Sequence, residues 1–194
     1  MILEGVITTL ESCGLVHIAA MGAEIGDPPP SVPQRLVLRP YQSSRTFANL
    51  RRDGRGVFHI TDDVELLARS AVGQADGGQG MPAGCWPEPL VLPDACRWYA
   101  LEVRRIEAPG PRSRIEAAVV ASGRNRDFWG FNRAKHAVVE AAILASRAHL
   151  LPLGDIRAEL ARLAPLVEKT GGPAERRAFA FLCEYLEKRG QEPR

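Results

Sequence analysis

The stretch "RLVLRPYQSSRTFANLRRDGRGVFHITDD", Arg35–Asp63, decides how this chain is read. Its two short apolar runs, "RLVLR" and "GVFHIT", have the composition of strands. Between them, "SSRTFANLRRDG" carries the marks of a short helix: a serine to cap it, Phe47 and Leu50 on one face, and Gly54 to stop it. Alternation along the first run sets Leu36 and Leu38 on one face and Arg35, Val37 and Arg39 on the other, so Arg39 ends the strand pointing away from the core. The helix then starts with backbone N–H groups that lack intrahelical partners and attract an anion wherever they are open to one. Ser43, Ser44 and Thr46 add hydroxyl donors there. Arg39 and Arg45 add guanidinium forks suited to bidentate phosphate contact, and Asn49 follows one turn later. Two meanings stay open: a capped helix with a solvated basic face of Arg45, Arg51, Arg52 and Arg55, or a pocket for a phosphate. The four-residue signal "SSRT" taken alone favours the capped helix.

Outward from this stretch, "ILEGVITTL" and "LVHIAAMG", separated by the turn-forming "ESCG", predict an amino-terminal β-hairpin. "AEIGDPPPSVPQ" is a surface excursion, because its prolines donate no ladder hydrogen bonds. "DDVELLARSAV" predicts a second short helix opened by acidic caps, with Asp63 at the N-cap. The Gly/Pro-rich segment 73–97 reads as a long loop of the kind that covers a site. "RWYALEVRRIEA" and "RSRIEAAVVAS" flank "PGP" as a further hairpin, which brings the count to six strands. Everything after Gly130 is helical. "NRAKHAVVEAAILASRAHLL" is apolar over most of its circumference, with one stripe of Arg133, His136, Glu140 and Arg147. A helix capped by Asp155 and bent at Pro165 follows, then one from Pro173 to Gly190 that buries Phe179, Leu182 and Leu186. Strands first and helices last predict an α+β protein: an antiparallel barrel over 1–129 and a helical segment over 130–194 packed on it.

Composition excludes several classes. With 194 residues, 25 Lys+Arg against 23 Asp+Glu and a formal charge of +2, nothing advertises nucleic acid as partner. Cys13, Cys85, Cys96 and Cys183 form neither a CxxC pair nor a Cys/His cluster, so no metal site is expected. The amino terminus lacks the pattern of a signal peptide and no window spans a membrane, so a cytoplasmic protein is expected. His17, His59 and His149 sit in apolar company and read as packed histidines. Trp98 reads as strand core and Met21 as core filler, while Trp86 and Trp129 are candidates to stack on a ring. No Ser/His/Asp set or carboxylate pair stands out, and the catalytic residues are unknown.

The blocks "MILEGVITTL", "HIAAMG", "LVLRPYQSSRTFANLRR", "GVFHITDDVELLAR" and "FWGFNRAKHAVVEAAILASR" together resemble the DUF447 family of the FMN-binding split-barrel superfamily, kin to flavin reductases, flavoredoxins and pyridoxamine phosphate oxidases. The resemblance runs from Met1 to about Leu151. It implies a six-stranded split β-barrel with a C-terminal helical extension, a homodimer, and FMN bound at the dimer interface. It implies that Arg39, Ser43, Ser44, Arg45, Thr46 and Asn49 hold the phosphate, that Thr61 and Asp62 lie beside the isoalloxazine, and that Asn132 and Lys135 reach the cleft from the neighbouring subunit. The function it implies is an FMN-dependent oxidoreductase passing hydride through the flavin to an unknown acceptor. The rivals are an FMN carrier without turnover, and the same fold binding deazaflavin F420 or a pterin in one-carbon metabolism. The chain departs from its relatives in "AAMG", where they tend to have a proline before Met21, and in the Gly-rich insertion around Gly77 to Gly84.

Overall fold

The computed structural model describes residues 1–26, 33–75 and 85–191. The Gly-rich insertion at 77–84 and the proline run at 28–30 lie outside the described residues. The chain forms two compact units, one of Met1–Thr61 with Asp76–Phe128 and one of Asp62–Ala75 with Trp129–Arg194.

The first unit is the six-stranded antiparallel barrel. Its strands are β1 (Ile2–Leu10), β2 (Val16–Glu24), β3 (Arg35–Leu38), β4 (Arg55–Ile60), β5 (Arg97–Glu107) and β6 (Arg114–Arg124), and they close in the order β1-β2-β3-β6-β5-β4. The predicted hairpins are present: β1 pairs with β2 from Ile2↔Glu24 to Leu10↔Val16, and β5 pairs with β6 across the "PGP" turn. Closure leaves no sheet edge to protect. Inward-facing side chains of every strand, among them Ile7, Ala23, Leu36, Leu38, Phe58, Leu101 and Ile115, fill the interior, and Phe47 and Leu50 of α1 (Arg45–Asp53) add to the same core.

The strand pattern is not a clean alternation of buried and exposed positions. Val37, on the outward face of β3, is buried together with Leu36 and Leu38. On the outside of β1 and β4, the segment from Cys85 to Ala95 supplies Leu90, which packs with Val57 and Ala100. Thr8, also outward, donates its hydroxyl to the Leu90 carbonyl at 2.6 Å. His59 is fully buried there, and its Nε2 accepts the Leu92 N–H at 3.0 Å. Trp98 lies across the strand partner Gly123, where an added Cβ would come within 2.6 Å of the indole.

The second unit is helical: α2 (Val64–Ala71), α3 (Arg133–Ser146), α4 (Leu153–Thr170) and α5 (Pro173–Gln191). Asp63 caps α2 as expected, accepting the N–H groups of Glu65 and Leu66 at 3.0 Å each. The buried face of α3 is almost all alanine, with Ala134, Ala137, Ala141, Ala142 and Ala145 joined by Val138, and such small side chains let neighbouring helices approach closely. Arg133, His136, Glu140 and Arg147 form its exposed stripe. Three details differ from the expectation. α4 starts at Leu153 behind Pro152, with Asp155 in its first turn rather than at the cap. Ala178 and not Phe179 joins Leu182 and Leu186 in the buried face of α5, because the spacing of four places Ala178 on their side. His149 is exposed in the turn after α3 rather than packed.

Candidate functional site

The start of α1 is fixed from two sides within the barrel unit. The β5–β6 hairpin holds the turn that precedes it: Ser113 donates its N–H and its hydroxyl to the Pro40 carbonyl, at 2.9 and 3.0 Å, and Gln42 donates its N–H to the Pro111 carbonyl and its Nε2 to the Ala108 and Gly110 carbonyls. Tyr41 bridges to Arg112, whose guanidinium lies 4.1 Å from the centre of the Tyr41 ring and donates to the Arg39 carbonyl at 3.2 Å. Sequence reasoning did not single out Tyr41, Gln42, Arg112 or Ser113, because their role depends on a pairing about seventy residues apart.

Ser44 is the N-cap. Its Oγ accepts the Phe47 N–H at 3.2 Å and donates to the Tyr41 carbonyl at 2.7 Å. Gly54 closes the helix at φ 66°, with its N–H on the Leu50 carbonyl. No acid occupies the first turn of α1 or of α3, whereas Glu65, Asp155 and Glu175 occupy those of α2, α4 and α5. The positive end of the α1 dipole is therefore not neutralised by its own helix. The N–H groups of Arg45 and Thr46 have no acceptor among the described residues, and Ser43 is exposed beside them.

The β1–β2 hairpin holds the other side. Thr46 and Asn49, 2% and 5% exposed, point into it: the Thr46 Oγ1 lies 3.2 Å from His17 Nε2, and Asn49 Nδ2 donates to Thr9 Oγ1 at 3.0 Å. Arg52 completes this layer by donating to Asn49 Oδ1 at 3.3 Å and to the Leu10 carbonyl. Arg45 Nη1 meets Glu11 Oε1 at 3.2 Å, and His17 Nδ1 stands 3.7 Å from the same oxygen. Burial and then the Arg45 charge push the His17 pKa below its usual value, with Glu11 opposing them, so the ring is neutral near pH 7. Arg39 turns to β2, where its Nε hydrogen-bonds Glu24 and holds that carboxyl below the usual range.

Of the remaining candidates, Thr61 is buried just past β4. Asp62, Asn132 and Lys135 belong to the helical unit. Asn132 caps α3, its Oδ1 accepting the N–H groups of Ala134 and Lys135 while Nδ2 donates to the Thr170 carbonyl. Lys135 Nζ donates to the Asp62 carbonyl at 2.7 Å and pairs with Asp62 Oδ2 at 3.2 Å and Glu175 Oε1 at 3.7 Å. Glu175 is a member of this cluster that the sequence did not reveal. Among the described residues no group of His, Cys, Asp and Glu is arranged to hold a metal ion.

A family model described as "Protein of unknown function (DUF447) N-terminal domain" matches residues 3–126, and its companion, "Protein of unknown function (DUF447)", matches residues 132–184. The chain belongs to the DUF447 family. Its fold is similar to that of the FMN-bound protein MM1853 of the same family from Methanosarcina mazei, at 20% identity, with 95% of this chain and 94% of that one covered and a TM-score of 0.78. The styrene monooxygenase flavin reductase of Pseudomonas putida S12 aligns at 21% identity over 64% of this chain and 82% of its own, with a TM-score of 0.48. Flavoredoxin from Methanosarcina acetivorans aligns at 10% identity over 66% and 74%, also with a TM-score of 0.48. The DUF447 likeness to the Methanosarcina mazei protein thus spans barrel and helices alike, and no described helix is long and apolar enough to cross a membrane.

Proposed function

We propose that this DUF447 protein binds FMN, with the cofactor's phosphate at the start of α1, and that it works as an FMN-dependent oxidoreductase of the cytoplasm. The observation that carries the reading is the amino terminus of α1, left uncompensated by its own helix, with N–H groups of Arg45 and Thr46 that have no acceptor among the described residues, an exposed Ser43, and the Arg45 guanidinium with 70% of its side chain exposed. A dianionic headgroup fits such a niche, since first-turn amides, a hydroxyl and a guanidinium are all donors. The FMN bound by the Methanosarcina mazei relative supports the choice of ligand.

Within this reading the candidates divide by what their side chains are already doing. Ser43 and Arg45 bind the phosphate directly. Ser44, Thr46 and Asn49 shape the niche from beneath, one as cap and two as struts to the β1–β2 hairpin. Arg39 contributes its carbonyl to the Arg112 clamp, and Thr61 lies buried just past β4. Asp62, Asn132 and Lys135 order the helical unit, from which a second copy is approached. FMN, when bound, supplies two-electron chemistry, and the protein's part is to bind, orient and shield it. We read the assembly as a homodimer. Trp129 and Phe131, 87% and 94% exposed, support that reading, because aromatic side chains left this open are the usual anchors of an interface.

Absorbance titration of the purified protein tests the ligand: the reading requires a flavin spectrum that saturates with FMN and weakens at least tenfold in Ser43→Ala/Arg45→Ala. A protein that ignores added FMN refutes it. Anaerobic bleaching of the bound flavin by NADH or NADPH separates an oxidoreductase from a carrier without turnover.

A further inference from the structure

The acid missing from the first turn of α1 is supplied from another element. Glu11 opens the β1–β2 turn, where its N–H bonds to the Leu15 carbonyl at 2.8 Å and its carbonyl accepts the Gly14 N–H at 2.9 Å, so its backbone is pinned. Its carboxylate takes Arg45 Nη1 at 3.2 Å, faces His17 Nδ1 at 3.7 Å and receives the Cys13 thiol at 3.8 Å. Through His17 it is linked to Thr46, the second residue of α1. A pinned carboxylate on the one arginine of the first turn is an internal anion at the doorstep of an anion niche.

We propose that Glu11 competes with the cofactor's phosphate for Arg45 and so sets the affinity of the site for a phosphate. The proposal rests on the FMN reading above. Loading exchanges one partner of Arg45 for another: a monoanion gains nothing over the carboxylate it displaces, whereas a dianion gains the second charge. Glu11 thereby lowers the gain of any anion that takes Arg45 and leaves an uncharged ligand untouched. It touches the arginine rather than the ligand, which makes it a positioning residue.

Isothermal titration of the full chain with FMN and with riboflavin, which has the same ring system and no phosphate, tests this. Glu11→Gln keeps the shape of the side chain and removes its charge. FMN should bind this variant about two- to fivefold more tightly, the scale of an exposed ion pair. Riboflavin affinity should stay unchanged, and Glu11→Gln in an Arg45→Ala background should give no gain. Equal or weaker FMN binding by Glu11→Gln, with an unchanged far-ultraviolet circular dichroism spectrum and melting temperature, overturns the proposal while leaving the FMN reading intact. Should Glu11→Gln lose its fold, Glu11→Ala carries the same expectation and the same refutation. If the wild-type chain binds neither flavin, or binds both equally and indifferently to Arg45→Ala, the FMN reading itself falls and takes this proposal with it.

Discussion

His59 carries an acid-sensitivity that follows from its surroundings. Its Nε2 accepts the Leu92 N–H, so the ring proton is on Nδ1, which has no hydrogen-bond partner among the described residues. Burial pushes its pKa from the usual 6.5 to about 4, with the nearby carbonyls of Val6 and Val57 opposing only weakly. Between those two values the unfolded chain holds a proton that the folded chain refuses, so stability rises with pH through this window and is lost as pH falls from about 6.5 toward about 4. The span corresponds to roughly 3 kcal/mol. Thermal melts at pH 7 and pH 4.5 should show a smaller acid-induced drop for His59→Gln than for wild type, and identical drops would remove His59 as the cause. Gly5 offers a sharper test of packing. A Cβ there would run into the His59 carbonyl oxygen and the Phe58 ring, both parts of β4 that cannot swing aside. Gly5→Ala should therefore cost about 1–3 kcal/mol in chemical denaturation, the usual range for overpacking, whereas Gly110, with open space around it, should tolerate alanine.

At the scale of elements, α1 separates what the sequence discloses from what it withholds. Its cap and its stop were legible because Ser44 and Gly54 act on their own backbone, within three or four residues. Ser44→Ala should accordingly cost about 1 kcal/mol, readable in urea denaturation. The place of Thr46 and Asn49 in the helix makes them candidates for the ligand, but it does not disclose that their side chains meet His17 and Thr9, partners 29 and 40 residues away that only the fold brings near. The same limit hid the burial of Val37 and the role of Arg112. In the helical elements it hid the contacts of Lys135, whose ammonium joins the segment before α2 to α5. Lys135→Met would leave the Asp62 and Glu175 carboxylates, with side chains 4% and 12% exposed, without their shared cation. Removing one partner of a fully buried pair costs about 3–5 kcal/mol, and the quarter exposure of Lys135 admits enough water to reduce this to roughly 2 kcal/mol. Adding Glu175→Gln should return part of the loss, and a double variant no better than Lys135→Met would show that the repulsion is not its source.

For the whole molecule, the decisive feature is that the chain passes between its two units at Thr61–Asp62, Ala75–Asp76 and Phe128–Trp129. Strand count and the two hairpins were legible from local patterns, but the allegiance of α2 was not: its sequence neighbours are barrel strands, while its packing partners are α3 and α5. The buried face of α2, Val64, Leu67 and Ala68, is thus covered by residues that come after position 129. A fragment ending at residue 129 removes that cover. At eight residues, α2 is too short to persist on its own helix propensity, since isolated helices below about 12–15 residues are marginal in water. The barrel interior behaves differently, because Ile7, Leu36, Leu38, Phe58, Leu101 and Ile115, with Phe47 and Leu50 of α1, are all supplied from within the fragment. Hydrogen exchange on fragment 1–129 should therefore find β1, β4, β5 and β6 still protected and residues 64–71 exchanging like a disordered peptide, with proteolysis falling in the same stretch. Protection of residues 64–71 in the fragment would mean that α2 has a docking surface on the barrel side, and loss of protection throughout would mean that the barrel core is not self-sufficient.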